Sequence, residues 1–519
     1  MPAAQAVIGL DIGTTGCRAV AYDLEGRQVA SFSEEYPLLT PQAAWAEQDP
    51  ELIYQAAMRV TQAASLETTR QGVAIAGLSL SSVMHSLMPV DADGRALANM
   101  LIWADSRSQA YAAQLIAHFG EEDLYQRSSC PVHPMYPLAK VLWFRHERPE
   151  LFAKAVRFIG IKEYIGYRLF GKYLVDRSIA TATAIYNLHT GTWDGDLLTF
   201  LGITPDQLST VVPTTHVERD LRPETARRFG LDVRTPVVQG ASDGVLSSLG
   251  AGTVDPGQIT AMIGTSGAVR MICEGPRVDP KRRLWCYNLT EELWVLGGAI
   301  SNGGVVFRWA RDKFAAVEQQ VAANLGLDTY EILSRYAEQK PPGSDGLIML
   351  PYFSGERAPH YDADARGVIF GLNLNHGKRH LMRATLEGIC YSMCSVLNAL
   401  QEVAGEAREI RASGSFTRSR LWAQILADVF GKSIQVPGEP EGAAFGAAVL
   451  GMHALGHLAN IRDVSKFVKI KETYHPIAEN HAIYRELFAI YERLYGCLKQ
   501  EFAAISDLQR RLAARKAAQ

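Results

Sequence analysis

The stretch Gly9 to Asp23, GLDIGTTGCRAVAYD, sets an acid beside a turn of glycines and threonines, with apolar runs on either side. Val7 to Leu10 is short and apolar and reads as a buried strand. Asp11 ends it, Gly13-Thr14-Thr15-Gly16 turns the chain, and Cys17 to Tyr22 reads as the returning strand. Such a turn offers closely spaced backbone N–H groups and hydroxyls with little bulk, which is what a phosphate-binding concavity requires. An acid beside it can orient a metal ion. The same residues also make an ordinary hairpin, so this stretch alone leaves both readings open.

An echo near the midpoint of the chain narrows the choice. Gly257 to Cys273, GQITAMIGTSGAVRMIC, carries Gly264-Thr265-Ser266-Gly267 between two apolar runs and follows the Gly/Pro-containing link GAGTVDPGQ. Two matched hairpins predict two like-folded domains facing a shared cleft, a favoured place for a ligand. A third candidate is Asp243 in GASDG, which follows the strand-like Pro236 to Gln239 and precedes a helix of small residues. An acid there either caps the helix or accepts a proton from an attacking hydroxyl.

The elements that must position these residues alternate. A third strand is expected at Val29 to Tyr36, a helix from Pro50 to Ser65 and a strand at Val73 to Leu80. Helices follow at Ser106 to Phe119, Pro137 to Glu147 and Lys162 to Phe170. In the second half GGAISNGGVVFRWA reads as a Gly-rich turn entering a helix, and a long helix starts near Lys378. IRASGSFTRSRLWAQILADVFGKSIQVP reads as strand, Gly-Ser turn, helix and strand. The helix around AAFGAAVLGMHALG is so rich in Gly and Ala that another backbone is expected against it. From His481 to Gln519 the pattern is a polar-faced external helix, open to being a homodimer contact or merely solvated. Alternation of this kind is an α/β architecture with helix-covered sheets.

Composition bounds the class. The 519 residues are 47% hydrophobic and 21% charged with a net charge of −3, ordinary for a globular chain of two to four domains. That charge provides no electrostatic case for nucleic acid or an anionic membrane, and no apolar run reaches spanning length. The N-terminus lacks the basic and apolar regions of a signal peptide. The 7 cysteines are scattered without a C-x-x-C pair, which fits a reduced, cytoplasmic protein. Cys390 and Cys394 have no third ligand nearby and read as core. FGKSI at 430–434 lacks the glycine a P-loop needs, and neither G-x-G-x-x-G nor H-E-x-x-H occurs.

Taken together, DIGTTGCRAVAYD, GASDG, IGTSG and SGSFTRSRLWAQILADVFG resemble the FGGY carbohydrate kinases. Gly367 to Glu387 fits the C-terminal signature of that family, and Met135 to Glu147 fits the first signature except at His146. The resemblance covers residues 6 to 455. It implies two ribonuclease-H-like domains of the actin/hexokinase/Hsp70 type around a central cleft, closing on ATP, Mg²⁺ and a sugar. The domains are expected at 1–254 and 255–480, with a helical tail at 481–519. Gly13, Thr14 and Thr15, with Gly264, Thr265 and Ser266, would hold the phosphates. Asp11 would hold Mg²⁺ through water, with Asp243 beside the metal and acting as catalytic base. Gly297, Asn302, Gly303, Gly414, Ser415 and Phe416 would form the adenosine pocket.

For the sugar, the resemblance points to Met84 and His85 and to Trp103, Asp105 and Arg107, with Arg107 buttressing Asp105. Lys162-Glu163-Tyr164 and His133-Pro134-Met135 resemble the gluconate kinases of the family. A helical wheel puts Lys162 at the edge of the apolar arc formed by Ile161, Tyr164, Ile165 and Leu169. An ammonium there suits a sugar acid, since a carboxylate leaving water needs a partner; a snorkelling surface lysine is the plainer reading. The expected reaction is ATP-dependent phosphorylation of D-gluconate. A xylulose or ribulose kinase and a non-catalytic sensor on the same fold are the alternatives.

Overall fold

A computed structural model describes residues 4–42, 44–438 and 442–517. The first three residues of the stretch read for a signal peptide and the last two of the tail lie outside the described residues. The chain divides into two compact units. One comprises Met1–Pro256, Ile272–Leu296 and Gly438–Lys469, the other Gly257–Met271, Gly297–Pro437 and Ile470–Gln519. Among the described residues no helix is long and apolar enough to cross a membrane.

In the first unit β1 (Gln5–Ile12), β2 (Gly16–Asp23), β3 (Gln28–Glu35), β4 (Ala74–Ser82), β5 (Val217–Glu218) and β6 (Val237–Ser242) form one sheet in the order β5-β6-β4-β1-β2-β3. The strands β1 to β3 are an antiparallel meander, whereas β4 and β6 run parallel to β1. Both faces of β1 are covered, one by α1 (Pro50–Arg70) and the other by α2 (Gly442–Ala454). Its apolar run is therefore nearly continuous instead of alternating. Asp49 caps α1 by accepting from the N–H groups of Glu51 and Leu52, with Pro50 at the first helical position. The helix outruns its expected end at Ser65 because no breaker occurs before Gly72, and Thr68 bonds back to the Ala64 carbonyl.

The Gly/Ala-rich α2 does lie against backbone. A Cβ on Gly9 would stand 1.9 Å from the Ala444 carbonyl oxygen, and one on Gly446 would stand 2.0 Å from that of Leu246. Backbone-to-backbone approach this close leaves no room for a methyl group.

In the second unit β7 (Gln258–Ile263), the first five residues of β8 (Gly267–Glu274), β9 (Glu409–Ser413), β10 (Ile434–Pro437) and β11 (Ile470–Tyr474) are neighbours in the order β8-β7-β9-β10-β11. A hairpin is followed by two parallel strands, as in the first sheet. The last helix, α3 (Ala478–Ala517), is the polar-faced external helix expected over most of its length, but it docks one stripe of side chains into this unit. Tyr484 and Tyr491 are wholly buried. Tyr484 Oη donates to Glu387 at 2.8 Å, and Tyr491 Oη pairs with Ser392 at 2.7 Å and Tyr352 at 2.8 Å. Tyr484, Tyr491 and Phe502 form a buried stripe too narrow to stand out among the surrounding charges, while most of the helix stays exposed.

These contacts predict opposite signs for two glycines. Gly446→Ala should cost about 1–3 kcal/mol through overpacking. Gly166→Ala, on the helix Ile161–Phe170 with nothing within 4 Å of the added carbon, should add about 0.5–1 kcal/mol. Urea midpoints moving in the same direction would contradict the packing described.

Candidate active site

Three parallel strands of the first unit end side by side. The register pairs Asp11 with Ser81 and Ser81 with Ala241. Thus β1, β4 and β6 deliver Asp11, the Ser81–His85 segment and Asp243 to one carboxyl edge, where open α/β sheets take their ligands. Ser81 Oγ donates to Asp11 Oδ1 at 2.8 Å. Burial pushes the Asp11 carboxyl up, opposed by the Ser81 hydrogen bond and the charge of Arg18. β6 slips register between Val238 and Ala241, around Gly240 at φ +68°, where a Cβ would stand 1.7 Å from the Leu80 carbonyl oxygen. Beyond this bulge Ser242 ends the strand and Asp243 opens the helix Asp243–Gly250, its Oδ1 accepting from Gly244 N at 2.6 Å. Burial pushes the Tyr36 phenol well up, with the neighbouring acidic groups adding to it.

The Gly13–Gly16 turn is tied down by its carbonyls. Tyr36 Oη donates to Gly13 O at 2.5 Å, Gln48 Nε2 to Thr14 O at 2.6 Å and Tyr36 N to Thr15 O at 3.2 Å. Among the described residues the N–H groups of Thr14 and Thr15 meet no acceptor. A phosphate cradle needs this polarity: carbonyls held away, amides presented.

The expected sugar residues are held in different ways. Trp103 Nε1 donates to Thr14 Oγ1 at 2.9 Å, joining its segment to the turn. His85 has φ +66°, its Nδ1 lies 2.7 Å from the Ala182 carbonyl oxygen, and its ring meets Tyr136 edge-on. Met84 packs against the small apolar cluster of Val175, Ile179, Ala180 and Tyr186. Asp105 is only 1% exposed and accepts from Ala46 N at 2.7 Å and from Arg107 Nε at 2.9 Å. Arg107 reaches on to Glu47 at 2.7 Å and lies over the Trp45 ring. Asp105 and Arg107 are thus a buried pair that shapes the loop, with no open carboxylate for a sugar hydroxyl.

Lys162 is buried, not snorkelling. Its Nζ donates to Asp176 Oδ2 at 2.7 Å and to Ala241 O at 3.0 Å. Burial pushes its ammonium down, and Asp176 is the main charge holding it up. Asp176 also caps the short helix Arg177–Thr181, and Ser178 of that helix meets Ser242 hydroxyl to hydroxyl at 3.1 Å. The lysine therefore braces the strand end that carries Asp243.

The second unit repeats the hairpin device. Gly264 N donates to Ser266 O at 2.8 Å. The helix Gly304–Phe314 is pinned on the turn through Gly304 N to Gly264 O at 2.7 Å and Val305 N to Thr265 O at 3.1 Å. Here too the N–H groups of Thr265 and Ser266 meet no acceptor among the described residues. Gly414, at φ +98° and tight against the Ile263 carbonyl, turns the chain from β9 toward the same edge. A pocket of about 810 Å³ opens there, lined by Gly264, Thr265 and Ser415 and by the aromatic rings of Phe307, Phe416 and Trp422. Gly297 stands inside the strand Leu293–Ile300, not in a turn. The Asn302 side chain is spent on the neighbouring loop, donating to Gly355 O at 2.6 Å and accepting from Ser354 N at 3.2 Å. Gly303 fits its backbone against Ser266. Among the described residues no group of three or more His, Cys, Asp or Glu is placed to hold a metal.

Comparison with known proteins agrees with this arrangement. Residues 6–250 match the N-terminal domain of the FGGY family of carbohydrate kinases, and residues 259–455 match its C-terminal domain. The chain belongs to this family. The FGGY chain is 41% identical over 511 residues to a gluconokinase of Bacillus subtilis (strain 168), covering 98% of this chain and 99% of that one. A xylulose kinase of the same organism is 28% identical over 508 residues, 97% of this chain and 99% of the other. A gluconate kinase structure from Lactobacillus acidophilus superposes with a TM-score of 0.90 at 34% identity, covering 97% of this chain and 100% of that one. A ligand-bound xylulose kinase structure from the same species has the same TM-score, 0.90, and identity, 34%, covering 96% and 100%.

As an FGGY carbohydrate kinase, the chain has an ATP-dependent activity whose supporting residues were only partly visible in the sequence. Ser81, Tyr36, Gln48 and Asp176 carry no motif and are tied to partners 14 to 70 residues away in the chain. The aromatic pocket residues lie on helices and read as ordinary core.

The Lys162–Asp176 pair makes a direct prediction. Lys162→Met should destabilise the kinase by about 3–5 kcal/mol by leaving a buried carboxylate unpaired, and adding Asp176→Asn should restore most of the loss. A single variant as stable as the parent in urea would contradict the bracing role.

Proposed function

We propose that this FGGY kinase phosphorylates D-gluconate at O6 with MgATP, yielding 6-phosphogluconate and ADP. The observation that carries the choice of acceptor is the 41% identity to a gluconokinase along almost the whole chain, against 28% for a xylulose kinase. In this reading the first unit binds the acceptor and supplies the base, and the second unit binds the nucleotide in its aromatic-lined pocket. Asp243 takes the proton from the O6 hydroxyl as O6 bonds to the γ-phosphorus, and the bond from that phosphorus to the bridging oxygen breaks to release ADP. The N–H groups of Thr14 and Thr15 and of Thr265 and Ser266 would meet phosphate oxygens. A lone carboxylate such as Asp11 suits Mg²⁺, which keeps much of its water and takes the rest of its ligands from phosphates; when bound it neutralises phosphate charge.

One observation favours a second reading, a kinase for a neutral ketose such as xylulose. Lys162 already has its charge matched by Asp176, so it offers a sugar carboxylate less than a free ammonium would. Acceptor preference thus rests on the relatives and not on Lys162.

ADP release should be followed with D-gluconate beside D-xylulose, D-ribulose, L-ribulose, glycerol and no sugar. Gluconate should exceed every other acceptor in kcat/KM by at least about tenfold. Asp243→Asn should lower kcat by about 10²- to 10⁴-fold with little change in the acceptor KM. Higher kcat/KM on a ketose would overturn the gluconate reading, and full turnover by the variant would remove Asp243 from its role.

A further inference from the structure

We infer that Lys140 is a positioning residue of the acceptor site, whose buried ammonium ties the two acceptor segments, Met84-His85 and Trp103–Arg107, into one body. The inference rests on the acceptor-site reading above.

Lys140 lies on the helix Pro137–Glu147, in a stretch from Pro137 to Phe144 that is buried on every side, and is itself 0% exposed. Its Nζ donates to the His85 carbonyl oxygen at 2.6 Å and to the Ile102 carbonyl oxygen at 2.8 Å. Burying an ammonium against two neutral carbonyls is costly compared with filling the space by an apolar chain. What the charge accomplishes is specific to those two carbonyls.

Each carbonyl belongs to the backbone that aims an acceptor residue. His85 holds a left-handed φ of +66°, a conformation that persists only where its surroundings over-determine it. Lys140 holds the carbonyl, Ala182 O holds the ring through Nδ1, and Tyr136 and Tyr287 pack edge-on against the imidazole. The Ile102 carbonyl also accepts from Asp105 N at 3.0 Å, so Lys140 anchors the tight turn that presents Trp103. Trp103 in turn bonds to Thr14 of the phosphate turn at 2.9 Å. One ammonium therefore sets the spacing between the imidazole and the indole, while the phosphate turn keeps its own tethers from Tyr36 and Gln48. The charged groups acting on it are Asp105 and Arg107: burial pulls Lys140 down to about 7, Asp105 holds it up and Arg107 pushes it further down.

The test uses the full chain with Lys140→Met, which keeps the bulk and loses the donors, and Lys140→Gln, which keeps an N–H₂ group. KM for the acceptor and KM for ATP are measured separately, with thermal unfolding as the check on folding. The Met variant should raise the acceptor KM about 10- to 100-fold, the Gln variant less, and neither should move the ATP KM. Acceptor and ATP KM rising by the same factor, or an unmoved acceptor KM, would overturn the inference. If the Met variant does not fold, an acceptor KM in the Gln variant equal to the parent's does the same. A parent chain that prefers a ketose defeats the gluconate reading alone, since the same two constants measured on that ketose still test Lys140. A parent chain that turns over no acceptor defeats both.

Discussion

The ion pair between Lys162 and Asp176, out of contact with water, is the interaction on which the first unit's site depends. Neither charge is tolerable alone at that depth, so each fixes the other's element. Through Lys162 the helix Ile161–Phe170 is bound to the carbonyl of Ala241. Through Asp176 the short helix Arg177–Thr181 is capped, and through Ser178 it is bonded to Ser242. Asp243 comes next in the chain. Asp243, the base in the proposed reaction, thus follows a strand end held by a network in which every polar member named is paired, the condition under which buried polar networks are rigid.

The two units share one local device at the hairpins proposed to hold phosphate. Each places a Gly-Thr hairpin at the end of a strand, ties the turn by its carbonyls or its flanking glycine, and leaves two successive amides presented. The tethers differ: Tyr36 and Gln48 side chains in the first unit, the N-terminus of the helix Gly304–Phe314 in the second. What is common is strand order, a hairpin followed by parallel strands whose carboxyl ends fall on one edge. Chemistry gathers at that edge because backbone there is freed from the ladder while the sheet still holds it rigid.

The hairpins were legible because their residue types and spacing are local. The α/β class and the helix at Pro137–Glu147 were legible because hydrophobic period and flanking prolines are local too. Partnership across the chain was not. Asp105 looked like an open acceptor, yet Ala46, 59 residues away, and Arg107 close its carboxylate. A helical wheel puts Lys162 at the edge of an apolar arc and carries no information on Asp176, its partner in the fold. Asn302 sits in a glycine-rich stretch suited to a ligand, and the loop at Ser354–Glu356 consumes its amide. The α3 helix reads as polar because its buried tyrosines occupy a stripe barely one residue wide.

The central claim is that Asp243 is the base for a gluconate hydroxyl, and the most direct test is a crystal structure of the Asp243→Asn variant with D-gluconate and a non-hydrolysable ATP analogue. The account predicts the C6 hydroxyl at hydrogen-bond distance, about 2.6–3.2 Å, from the side chain at position 243, with the C1 carboxylate at the far end of the acceptor. Gluconate bound with its carboxylate at that side chain, or bound away from the carboxyl edge of the first sheet, would contradict it.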